Sequence, residues 1–71
     1  MKQVRRWPKV GDMIHIFHMF GEPEYAGRDG IVRYIDDMGQ IHGTWGGCAL
    51  VSGDDFVVFE PEEKDNGRFN Q

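Results

Sequence analysis

The sequence predicts an all-β domain of short strands, on three observations. Ten glycines and three prolines are spread through 71 residues, which leaves little room for a long helix. The run from Met13 to Phe20 is dominated by β-branched and aromatic residues and lacks a helical period. The stretch Asp36-Asp37-Met38-Gly39-Gln40-Ile41-His42-Gly43-Thr44-Trp45 reads as the bend and returning strand of a hairpin, and the rest of the chain is organised around it.

Residues 1–9 read as a basic N-terminal arm carrying Lys2, Arg5, Arg6, Trp7 and Lys9. Trp7 precedes Pro8 and is therefore pushed toward an extended backbone, which excludes a helix there. Its indole is expected to anchor the arm on the domain; left exposed, it would be an interaction residue. Val10-Gly11-Asp12 is a turn into the first strand, which starts at Met13. Period-two alternation puts Ile14 and Ile16 toward the core and His15 and Phe17 on the other face. Phe20 then follows a bulge or belongs to the next loop.

Gly21 to Gly30 forms a long loop, because Pro23 removes a donor and Gly27 and Gly30 permit unusual backbone angles. The second strand is Ile31 to Ile35. Aspartate early and glycine late in Asp36-Asp37-Met38-Gly39 suit a type I turn closed by a left-handed glycine. The third strand, Gln40 to Trp45, puts Ile41 and Trp45 on the core face, and Gly43 between them leaves room for an indole or a crossing strand. Gly46-Gly47 is a two-residue hairpin signal that would pair Gly43 with Leu50 and begin a fourth strand, Cys48 to Val51. One turn over Ser52-Gly53-Asp54-Asp55 leads to the fifth strand, Phe56 to Glu60. From Pro61 onward the chain is polar and charged and is expected to form a flexible acidic tail. A five-stranded SH3-like small barrel over residues 10–60 accounts for this pattern; an OB-type barrel would want a helix and a longer chain.

The charge is uneven. The net charge is −4, yet all twelve acidic residues lie after residue 9, so the body is strongly acidic and repels phosphate backbones. The lone Cys48 forms no disulfide within the chain, which points to a reducing, cytoplasmic setting. No apolar run has the length of a membrane span.

Residues 10–58 resemble a family of short bacterial and phage domains of unknown function found on mobile elements. The resemblance rests on Gly11-Asp12, Met19, Glu22-Pro23, Gly27, Gly30-Ile31-Val32, the run Asp36-Asp37-Met38-Gly39-Gln40-Ile41-His42, Trp45, Gly47, Leu50 and Asp55-Phe56. After Trp45 the family has an Asp-Asn-Gly turn, whereas this chain has Gly46-Gly47 and one residue fewer. The resemblance implies an SH3-like barrel and a phage or bacterial origin. It carries no activity and no functional residue.

Side-chain chemistry points to binding. His15, His18, His42 and Cys48 match a tetrahedral zinc site in number, but strand alternation places them on different faces. Asp36-Asp37 and Asp54-Asp55 suit turn capping better than catalysis or cation binding. No nucleophile, acid and base converge, and neither a P-loop nor a Rossmann fingerprint is present. No metal or cofactor is expected. Surface aromatics beside an acidic loop are the expected partner-binding residues: Phe17, Phe20, Glu22, Glu24, Tyr25, Tyr34 and His42. Phe20 and Tyr25 serve equally well as pins that hold the long loop. The expected function is a non-enzymatic protein-binding module of phage type, an inhibitor of a host nuclease complex in the manner of an anti-CRISPR protein. The alternative is a nucleic-acid-binding barrel that uses the basic arm and surface aromatics.

Overall fold

The computed structural model describes residues 1–61. Five strands are present: β1 (Lys2–Val4), β2 (Met13–His18), β3 (Asp29–Ile35), β4 (Ile41–Gly43) and β5 (Asp55–Glu60). All pair antiparallel in one sheet of order β1-β5-β2-β3-β4. The all-β class read from the sequence is the class observed. No helix among the described residues is long and apolar enough to cross a membrane. The expected acidic tail, from Glu62 onward, lies outside the described residues.

The core forms where alternation predicted it. Ile14 and Ile16 on β2 are fully buried, and they meet Val32, Ile41, Leu50, Val58, Met19 and Trp45 in one cluster. A register shift on β2 between Ile16 and His18 turns Phe17 and His18 outward before the strand ends. The chain then enters the long loop, where Pro23–Tyr25 makes a single 3₁₀ turn.

The β3–β4 hairpin has the expected turn. The Gly39 amide donates to the Asp36 carbonyl at 2.9 Å, and Gly39 adopts a φ of 82°. The indole of Trp45 lies over the backbone at Gly30 and Gly43. A Cβ at Gly30 would sit 2.7 Å from the Trp45 ring, and one at Gly43 would sit 2.5 Å from the Ile31 carbonyl oxygen and overlap the indole. Gly43 therefore makes room for the indole, one of the two occupants its position suggested.

Three expectations are corrected. The basic arm is not separate from the sheet: Lys2–Val4 pairs with Val58–Glu60 as β1. Such a short polar segment has no strand signal of its own, and the open edge of β5 supplies its pairing. Second, β3 begins at Asp29 rather than Ile31. Third, Gly46-Gly47 is not a two-residue hairpin tip. Leu50 pairs with Ile41 rather than Gly43, through an isolated bridge, and no strand forms over Cys48–Val51. Trp45 Nε1–H donates to the Cys48 carbonyl at 2.8 Å, so the chain wraps around the ring after Trp45 and returns to β4 only at Ile41, where Leu50 exchanges both backbone bonds with it. Leu50 reaches the core all the same. The ladders join β1 to β4 only through the sheet itself among the described residues.

Candidate binding surfaces

Three aspartates build the frame that carries the surface residues. Asp12, fully buried at the start of β2, accepts from Arg6 Nη1 at 2.7 Å, from Arg6 Nη2 at 3.3 Å and from the Lys9 amide at 2.9 Å. The Arg6 guanidinium holds the Asp12 carboxyl below its ordinary value, with the Lys9 contacts adding to this against the cost of burial. Asp54 accepts from the Phe20 amide at 2.9 Å and from the Val51 amide at 3.0 Å, tying the last turn to the long loop. Asp36 accepts from the amides of Met38 and Gln40 and from His42 Nε2 at 2.8 Å. The His42 hydrogen bond, followed by that of the Gln40 amide, pulls the Asp36 carboxyl below its ordinary value. Each carboxylate uses both oxygens on the fold, which is the turn-building role expected of Asp36 and Asp54. The buried ion pair of Asp12 was not foreseen, because nothing in the local pattern distinguishes it from an ordinary turn residue.

Replacing Asp36 by Ala removes the acceptor for two turn amides. The expected result is faster hydrogen exchange at Met38 and Gln40 and a lower melting temperature, with the β2–β5 ladder still protected. Unchanged exchange at those two amides would show that the turn does not need the carboxylate.

The expected partner-binding residues divide into two groups and one exception. In the first group, Phe17 is 56% exposed and Phe20 is 80% exposed. Phe17 stands edge-on to His15, whose Nδ1 pairs with Asp29, and Phe20 stands edge-on to His18. Glu22, half-buried, and Glu24, exposed, follow directly on the loop. In the second group, Tyr34 on β3 stacks flat on His42 of β4 at 4.3 Å between ring centroids. Strand β3 lies between β2 and β4 in the sheet order.

Tyr25 is the exception. Its ring is buried, at 8% exposure, with the Arg28 guanidinium over it at 4.1 Å, and Arg28 Nη1 donates onward to the Trp45 carbonyl at 2.9 Å. Tyr25 thus pins the long loop rather than presenting its ring. Phe20 is held by its backbone and leaves its side chain largely exposed, with only the His18 ring edge-on to it.

The arm residues are likewise sorted by their contacts. Lys2 is in β1, and Arg6 and Lys9 face Asp12. Trp7 packs edge-on against Phe56, with centroids 6.1 Å apart, and stays half exposed. Among the described residues Arg5 makes no ion pair. His15, His18, His42 and Cys48 do not meet, and no three potential metal ligands cluster among the described residues. No protein-family model, curated protein or solved structure matches this chain.

Proposed function

We propose that this protein is a non-enzymatic protein-binding module of phage or mobile-element type, working in the cytoplasm as an inhibitor of a host nucleic-acid-handling defence enzyme, in the manner of an anti-CRISPR protein. The observation that carries the reading is Phe20, whose ring is 80% exposed while its backbone is clamped to Asp54. Exposing two phenylalanines costs solubility, and interfaces recover that cost by burying such rings on a partner. Anchoring the segment beforehand lowers the entropy lost on binding. Glu22 and Glu24 next to Phe20, on an acidic body, suit a partner with a basic channel. Asp12, Asp36 and Asp54 have their oxygens committed to the fold, which leaves them poorly placed for acid–base chemistry.

Tagged protein and a Phe17→Ser/Phe20→Ser variant, used to capture partners from lysate of the native host, test this. The expected result is one stoichiometric nuclease or other defence protein, captured by the native chain and lost by the variant. Equal capture by both, or recovery of bulk nucleic acid, would overturn it.

A further inference from the structure

We propose a second binding site, independent of the Phe17–Phe20 surface: the groove where the N-terminal segment leaves β5 takes an extended peptide strand that carries a carboxylate beside an apolar side chain. The groove, about 360 Å³, is lined among others by Arg5, Arg6, Trp7, Ser52, Asp54 and Phe56.

The backbone supplies the first half of the recognition. On β2 the Ile16 amide donates to Arg28, the Ile16 carbonyl accepts from Gly27, and the Asp12 carbonyl accepts from Val32. Asp12, Ile14 and Ile16 therefore spend their peptide groups on the β3 side, and Met13 and His15 spend theirs on β5. The register pairs Met13 with Phe59 and His15 with Val57, so Phe56 and Val58 turn their peptide groups away from β2. Val58 is opposite Val4 of β1, where that strand ends.

Continued by two residues, the register would bring Arg6 opposite Phe56. Arg6 instead bends away, with Nη1 donating to the Trp7 carbonyl and to Asp12. The Phe56 N–H and C=O are left facing the groove, and no turn or loop backbone bond among the described residues takes them. One outward donor and one outward acceptor on an extended residue match one residue of an added strand.

Charge supplies the second half. The carboxylate that lines the groove, Asp54, is engaged by two amides; nearby, Asp12 is engaged by Arg6 and Lys9 and Glu60 by Arg6 at 3.9 Å, while Asp55 is exposed and does not line the groove. Arg6 is engaged as well, which leaves Arg5 as the groove's uncommitted charge among the described residues. A free guanidinium beside an open strand edge favours a carboxylate on the incoming chain. Trp7 and Phe56, packed edge-on, form the apolar wall for its neighbour.

The test is an NMR titration of the full chain with three probes. They are a short peptide of alternating valine and threonine ending in two glutamates, the same peptide with glutamines, and a short oligothymidine. The acidic peptide is expected to shift the Phe56 amide and the Trp7 indole N–H saturably. The Trp45 indole N–H, bonded to the Cys48 carbonyl, should stay in place as an internal control. Arg5→Gln should weaken that binding by roughly tenfold, and Arg5→Lys by less. The proposal is overturned if the Phe56 amide does not move, if the glutamine peptide binds equally well, or if only the oligothymidine binds.

Discussion

Gly43→Ala is expected to cost about 3 kcal/mol and to lower the melting temperature by roughly 15 °C. The added methyl would overlap the Trp45 indole and stand 2.5 Å from the Ile31 carbonyl oxygen. The carbonyl is backbone and cannot swing aside. Moving the indole breaks its bond to Cys48 and uncovers Gly30, over which the same ring lies. Ile41 and Leu50, paired with each other, belong to the same buried cluster and would lose packing with it. A core of this size supplies only about 3–5 kcal/mol in total, so the variant should be largely unfolded at physiological temperature. Gly47→Ala is the control: nothing lies within 4 Å of a Cβ there, and its stability should stay within about 0.5 kcal/mol of the native chain. Thermal melts of both variants decide the matter. A normal melt for Gly43→Ala would mean that the indole does not lie over β4.

Asp12→Asn is expected to cost about 2 kcal/mol at neutral pH, and to cost less in acid. Asp12 is fully buried, while the paired side chain of Arg6 is 34% exposed, so water screens the pair from one side only. Removing the charge leaves the guanidinium with only the more distant, partly exposed Glu60 carboxylate, at 3.9 Å, and weakens the acceptor for the Lys9 amide. The direction with pH follows from linkage. The carboxyl titrates lower in the folded chain than its ordinary 3.8. Its contribution is therefore complete above that ordinary value and is lost as pH falls through the lower folded value. Urea melts of both chains from neutral pH into acid should show the stability gap narrowing below about pH 4. A gap that stays constant would contradict the ion pair as its source.

Much of the fold was legible because it is written locally. Ile14 and Ile16 follow from period-two alternation, as does the core-facing placement of Ile41 and Trp45, and the Asp36–Gly39 turn follows from its residue types. What was not legible depends on partners far along the chain. Lys2-Gln3-Val4 is a strand only because β5 offers an edge. Asp54 looks like any turn aspartate until the Phe20 amide, distant in sequence, reaches it. Gly46-Gly47 carries a genuine hairpin signal that the indole bond to Cys48 overrides. The surface divided in the same way. Phe17, Phe20 and Tyr34 are exposed as their strand and loop positions suggested, whereas Tyr25 is drawn inward by Arg28 and the backbone near Gly46.

The measurement that most directly tests the partner-binding account is the affinity of the captured host protein for the native chain and for Phe20→Ala, by calorimetry. The substitution removes an exposed ring and keeps the amide bonded to Asp54, so stability should change by less than about 0.5 kcal/mol. If Phe20 is the anchor of the interface, affinity falls by at least about thirtyfold, the effect of a binding hot spot. An affinity within about threefold of the native value, a change of about 0.7 kcal/mol or less, would contradict the account and move the interface away from this end of β2.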